Sequence, residues 1–204
     1  MSESKGTILP HDCQLGLVVS TPTRLQAFDL CIVGWRIKRA QVDLGDGTYT
    51  AVFGEKVRIL LINGPNLNAL GKRDTTIYGS KTLSEIEADV IAGGKELETE
   101  ILCFQSNSEG SIVDYIQKQT SEAHGIIING GALSHYGLSL RDALVDTGLP
   151  VIEVHLSNIH AREPWRHRSV TGSVAIGVIA GLGWRGYLYA LDYLVQHLMY
   201  GSKS

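Results

Sequence analysis

Three stretches concentrate residues able to move protons or hold anions. GPNLNALGKRDTTIYG (64–79) carries Asn66, Arg73 and Tyr78. NGGALSHYGLSLRDAL (129–144) carries Asn129, His135, Arg141 and Asp142. VIEVHLSNIHAREPWRHRS (151–169) carries Glu153, His155, Ser157, Asn158, His160, Arg162, Glu163, Arg166 and His167. A glycine-rich loop after an apolar run suggests phosphate, yet neither the GxxxxGK[ST] nor the GxGxxG spacing is present. A tyrosine beside cations can serve as a base, because nearby positive charge favours the phenolate. A histidine and a carboxylate two residues apart on a strand share one face and can act as an acid–base pair.

Each of these residues also has an ordinary structural reading. Asn66 follows Gly-Pro and suits a turn, since asparagine tolerates the left-handed conformation. Tyr78 can be a packing aromatic, and Arg73 a solvated charge. Asp142, next to Arg141, reads as a surface ion pair. HAREPWRHR reads as a solvated charged loop, or as an anion-binding loop if it faces a crevice. Glu153 and His155 stand apart, because a buried ionisable pair is costly without partners. A metal site from Glu153, His155, His160 and His167 is a further alternative. Its spacing is not that of the HExxH helix, and Pro164 breaks any regular helix through it.

The surrounding elements explain how such residues could meet. VRILLIN (57–63), EILCFQ (100–105), GIIIN (125–129), VIEVH (151–155) and GVIAGLG (177–183) read as strands, several of them continuous apolar runs suited to burial on both faces. Thr82 to Glu85 forms a capping-box signature ahead of Leu83, Ile86 and Val90. Gly93 and Gly94 are expected to weaken that helix near its end. Helical patterns begin again at Ile112 and within LSLRDALVDTG, the latter closed by Gly148 and Pro150. A last helix is marked by Leu188, Leu191, Leu194, Val195 and Leu198. Alternating strands and helices predict an α/β fold with a five-stranded parallel sheet, flavodoxin-like and doubly wound. Its ligand crevice lies at the carboxyl ends of the strands, where all three stretches emerge.

Residues 1–56 differ. LGLVVS (15–20) reads as a strand and QVDLGDGTYTAVF as a hairpin around Gly-Asp-Gly. They are expected to form a short β-containing extension ahead of a catalytic domain spanning 57–204.

Composition narrows the function classes. The net charge of −3 gives no basic footprint, so neither nucleic acid nor an anionic membrane surface is an expected partner. The three cysteines form no CxxC pair and suit a reducing compartment. No apolar run is long enough to span a bilayer, and MSESKGTILPHDC lacks a secretory h-region, so a cytoplasmic protein is expected.

The quoted stretches, with QSNSEG (105–110) and GVIAGLGWRGYLYAL (177–191), resemble the type II 3-dehydroquinate dehydratases from about Val57 to about Leu198. The resemblance implies dehydration of 3-dehydroquinate to 3-dehydroshikimate by anti elimination through an enolate. It implies no cofactor and no metal, and a homododecamer built as four trimers. It serves either the shikimate route to aromatic amino acids or quinate breakdown. By resemblance Tyr78 is the base and Arg73, on a mobile lid, the cation that activates it. Asn66 holds a water near the developing enolate. His155 is the general acid, oriented by Glu153 and positioned by Asn129. The backbone N–H groups of Leu156 and Ser157 bind the substrate carboxylate. His135 and Arg166 bind ring hydroxyls, and Asp142 reaches a neighbouring subunit's site.

The chain departs from the family pattern in several places. Asp74-Thr75 replaces Glu-Pro in the lid, Tyr136-Gly137 replaces Thr-Ser, and Gly130 replaces a proline. The second change is expected to remove hydroxyls from the ring-hydroxyl pocket and add bulk there. A catalytically weakened homologue acting as an oligomeric binding module is therefore the alternative.

Overall fold

A computed structural model describes residues 31–32, 35–36, 55–72 and 74–200. The strand expected over 15–20 and the Gly-Asp-Gly hairpin lie outside these residues, as does Arg73. Cys31–Ile32 (β1), Trp35–Arg36 (β2) and Glu55–Lys56 (β3) form a small antiparallel sheet in the order β1-β2-β3.

The rest of the chain builds the expected α/β fold. Arg58–Asn63 (β4) leads through the short helix Thr75–Tyr78 (α1) to Leu83–Glu96 (α2). Glu100–Gln105 (β5), Glu109–Gln119 (α3), Gly125–Asn129 (β6), Leu138–Asp146 (α4) and Val151–His155 (β7) follow. Gly177–Ala180 (β8) and Arg185–Tyr200 (α5) complete it. The five larger strands are all parallel, in the order β5-β4-β6-β7-β8. β8 ends at Ala180, three residues before the expected end, because the chain turns at Gly181 and Gly183.

Side-chain alternation divides the sheet between two cores. Ile59, Leu61, Ile127 and Val154 pack with α2 and α5. Leu60, Ile62, Ile126 and Ile128 pack with α3 and α4 on the opposite face. Each wholly buried leucine or isoleucine contributes about 1.5–3 kcal/mol relative to an exposed one, which anchors the strands that carry the site. Thr82 and Glu85 form the expected capping box. α2 nevertheless runs through Gly93 and Gly94, because Ile101 of β5 fills the space a side chain at Gly94 would take.

The order reverses between β4 and β6, so their exits flank the switch point where such sheets bind ligands. Gly64 and Gly130 meet there. A Cβ on Gly64 would lie 2.3 Å from the Gly130 carbonyl oxygen, so only glycine permits this approach. Gly64 N–H also donates to the Asn129 carbonyl at 2.8 Å, joining the two loops. Among the described residues, no helix is long and apolar enough to cross a membrane.

Candidate active site

An open cleft of about 140 Å3 lies at this switch point. The β4 exit contributes Pro65, Asn66 and Leu67, and α1 contributes Tyr78. The β6 exit contributes Asn129, Gly131, Ala132 and His135; the β7 exit contributes His155, Leu156, Ser157, Arg162 and Arg166. Of the residues singled out in the sequence, Glu153 lies behind this lining and Asp142 outside it.

His155 ends β7, and its Nε2 lies 2.7 Å from Glu153 Oε1. Glu153 is wholly buried, and its other oxygen accepts from Ser169 Oγ at 3.0 Å and from Thr171 Oγ1. Burial pushes the Glu153 carboxyl up, but His155, Thr171 and Ser169 together outweigh it and hold the group below its ordinary value. An ionised carboxylate only accepts, so Nε2–H of His155 is the donor. Nδ1 is then the ring nitrogen available to a ligand. Glu153 thus sets the tautomer and orientation of His155 from behind.

His135 stacks near His155, with ring centroids 6.0 Å apart, and meets the edge of Trp165 at 5.6 Å. Its Nδ1 donates to the Arg168 carbonyl at 2.8 Å. Burial pulls His135 below the usual imidazole range, outweighing the Arg168 carbonyl, which raises it. A neutral ring with Nδ1–H engaged offers Nε2 as an acceptor.

Across the cleft, Arg162 Nη1 donates to Tyr78 Oη at 2.9 Å and to Ser157 Oγ at 3.3 Å. The charged loop is therefore not simply solvated. Arg162 and Arg166 share Glu163, at 3.4 and 2.8 Å, and Arg166 lies over the Trp165 ring at 4.0 Å. Asn66 adopts φ 66°, the left-handed conformation its turn reading allows, and its N–H donates to Asn107 Oδ1 at 2.9 Å.

Residues 57–195 match the family model described as dehydroquinase class II. The chain belongs to this family. A 3-dehydroquinate dehydratase of Roseiflexus castenholzii is 54% identical over 139 residues, which is 68% of this chain and 88% of that protein. A catabolic 3-dehydroquinase 1 of Neosartorya fischeri is 51% identical over 136 residues, 67% of this chain and 91% of its own length. The crystal structure of a type II dehydroquinase from Butyrivibrio crossotus matches with a TM-score of 0.68 and 44% identity, covering 69% of this chain and 99% of that one.

Two expectations for this class II dehydroquinase chain change with the geometry. Among the described residues, the Asn129 amide bonds to Tyr187 Oη and the Gly131 N–H, not to His155. Tyr136 is 61% exposed and stands outside the cleft lining, so its bulk does not enter the pocket. Gly137 occupies the N-cap position of α4 without a capping side chain. Instead Glu109, from the first turn of α3, accepts from Leu140 N–H at 3.0 Å. An N-cap serine or threonine characteristically reaches the same third helical N–H.

Asp142 pairs with Arg141 at 2.8 Å and leaves 70% of its side chain exposed. His160 and His167 stand ring to ring, 5.8 Å apart, outside the cleft lining. Among the described residues, no cluster of three or more potential metal ligands forms.

Sequence reasoning gave Arg162 no role, and it passed over Tyr187, Glu109, Ser169 and Thr171. One signal was available. A carboxylate placed inside a parallel strand demands donors, and Ser169 and Thr171 follow at the end of the same exit loop.

Proposed function

We propose that this chain is a hydro-lyase that dehydrates 3-dehydroquinate to 3-dehydroshikimate. One observation within the family frame carries the reading. A phenol oxygen held by a guanidinium and an imidazole held by a buried carboxylate line the same cleft. They are a base and an acid suited to removing a proton and a hydroxyl from one ring.

The elimination proceeds through an enolate. Tyr78 takes the proton α to the ketone, and Arg162 holds the phenol oxygen in place at 2.9 Å. By resemblance, Arg73 adds a second cation from the lid. Asn66, at the left-handed turn, holds the water that stabilises the developing oxyanion. His155 protonates the departing hydroxyl, with Glu153 supporting the imidazolium. Anti geometry follows if the base and the acid work from opposite faces of the ring.

Leu156 and Ser157 bind the carboxylate through backbone N–H groups. His135 Nε2 accepts a ring O–H, and Arg166 donates to a ring oxygen. No metal or cofactor takes part.

The reading extends to assembly. Asp142 is directed to a neighbouring subunit in a dodecamer of four trimers, and residues 1–56 form an extension to the catalytic unit at 57–204. A cytoplasmic enzyme suits the free thiol of Cys103. The role is biosynthetic or quinate-catabolic, since both routes pass through this substrate. The activity named for the relatives favours turnover over the binding-module alternative.

The test is direct. Purified protein is given 3-dehydroquinate, and the ultraviolet absorbance of the conjugated enone product is followed with and without chelator. A rise unaffected by chelator supports the reading. No rise from folded protein overturns it.

A further inference from the structure

Tyr187 lies on α5, far along the chain from every residue assigned to the chemistry, and it is wholly buried. A buried phenol needs hydrogen-bond partners. Its partners are the last residues of β4 and β6. Tyr187 Oη lies 2.7 Å from Asn63 Oδ1 and 2.8 Å from Asn129 Nδ2. Asn63 and Asn129 are register partners on adjacent parallel strands, so their side chains leave the same face of the sheet, toward α5. The phenol bridges the two strand ends that flank the switch point.

The direction of each bond follows from one fixed donor. Gly131 N–H, a backbone group, donates to Asn129 Oδ1 at 3.2 Å. Asn129 Nδ2 must then donate to Tyr187 Oη, which leaves the Tyr187 O–H to donate to Asn63 Oδ1. Asn63 Nδ2 in turn donates to Glu87 Oε1 on α2 at 3.3 Å. Gly131, Asn129, Tyr187, Asn63 and Glu87 form one chain with a single sense. Burial pushes the Tyr187 hydroxyl up, so it remains a donor and takes no part as a base.

We infer that Tyr187 is a positioning residue for the cleft, fixing the Asn129 amide so that its remaining N–H faces the ligand. Asn129 lines the cleft with its carbonyl oxygen engaged by Gly131 and one N–H engaged by Tyr187. The polarity it offers is that of a donor. It therefore selects a ligand with an oxygen acceptor at that point, such as a ring hydroxyl or a developing oxyanion. Without the phenol, only the 3.2 Å bond from Gly131 N–H orients the amide, and an amide that turns its oxygen to the cleft repels a developing oxyanion and offers a ring hydroxyl no donor. The inference rests on the dehydratase reading for the identity of the ligand.

A double-mutant cycle with Tyr187→Phe and Asn129→Ala tests it. Tyr187→Phe alone is expected to lower kcat/KM roughly tenfold, on the order of one net hydrogen bond. In the Asn129→Ala background the same change is expected to do nothing further, because Tyr187 acts through Asn129. A core variant of α5, Leu194→Ala, controls for stability and should leave kcat/KM of the folded protein unchanged. Equal losses in both backgrounds, or an unaltered kcat/KM in Tyr187→Phe, overturn the inference.

A second readout does not depend on activity. In asparagine-labelled protein, NMR should show one Asn129 side-chain amide proton protected from exchange, and Tyr187→Phe should remove that protection. A wild-type protein that fails to turn over 3-dehydroquinate defeats the functional reading alone. Absence of protection in the wild type defeats this inference.

Discussion

Arg162 donates to the Tyr78 phenol oxygen at 2.9 Å, although the two residues lie 84 positions apart in sequence. The β7 exit loop thus delivers a cation to a residue on the short helix after β4. Arg162 also reaches Ser157 and Glu163, so its guanidinium is held on three sides. A lysine places a point charge where a planar fork is required. Arg162→Lys should lower kcat by about 10- to 100-fold and Arg162→Ala by about 10²- to 10⁴-fold, the range of a lost acid–base contribution. Steady-state kinetics decide. A change confined to KM would show that Arg162 only binds substrate.

Tyr78→Phe removes the oxygen that Arg162 holds while keeping the ring. The protein should remain folded with a nearly unchanged Tm, and turnover should disappear. Circular dichroism paired with the enone assay separates the two effects. Near-normal turnover would remove Tyr78 as the base.

The Glu153 carboxylate is stabilised by His155, Thr171 and Ser169 inside a wholly buried site. Thr171→Val deletes one donor and leaves the carboxylate under-satisfied. A loss of about 1–3 kcal/mol in unfolding free energy is expected from denaturant titration. Glu153→Gln should lower kcat more than it raises KM, because it weakens support for the imidazolium form of His155.

Stability should fall on mild acidification. His135 in the folded chain sits below the usual imidazole range, burial being the largest cause, with Arg166 and His155 acting in the same direction. As the pH drops through about 6.5, the unfolded chain takes up this proton first. The contribution is fully present above that range and is lost as pH falls toward the folded value. Glu153, also held below its ordinary value, adds a second loss nearer the carboxylate range. Urea titrations between pH 7.5 and about 5.5 should show the first loss, and His135→Asn should flatten it. An unchanged slope in that variant would assign the proton elsewhere.

Glu109 caps a helix to which it does not belong. Glu109→Ala should cost about 1 kcal/mol, as loss of an N-cap does. Gly137→Ser, which adds a good capping residue, should not restore it. A Cβ at Gly137 would lie 2.8 Å from the Leu133 carbonyl oxygen. Thermal unfolding of both single variants and the double variant tests this.

The fold was legible because its signals are local. Four of the five larger strands fall within a residue of the expected runs, and Thr82 caps α2 as its capping box requires. Strand order was not legible, since helical patterns do not say to which side of β4 the next strand returns. Within the site, Tyr78, His135, His155 and Arg166 took their expected roles from the family resemblance, and all four line the one cleft. Arg162 did not, because five ionisable neighbours in one loop give no sign of which will face Tyr78. Tyr187 was hidden for another reason: on an apolar helix face a tyrosine is indistinguishable from packing until its hydroxyl is traced. The Asn129 partners could not be read because they depend on which strand pairs with β4.

The bridge from α5 to the ends of β4 and β6 also orders events in time. Tyr78 and His155 are both made before Tyr187, and the sheet pairs β4, β6 and β7 from residues earlier than α5. A chain still on the ribosome can thus possess the proposed base and acid while the two strand ends lack the phenol that joins them. Competence should arrive with the last helix, so that a nascent or carboxyl-terminally shortened chain carries the reactive groups without the arrangement that makes them an enzyme.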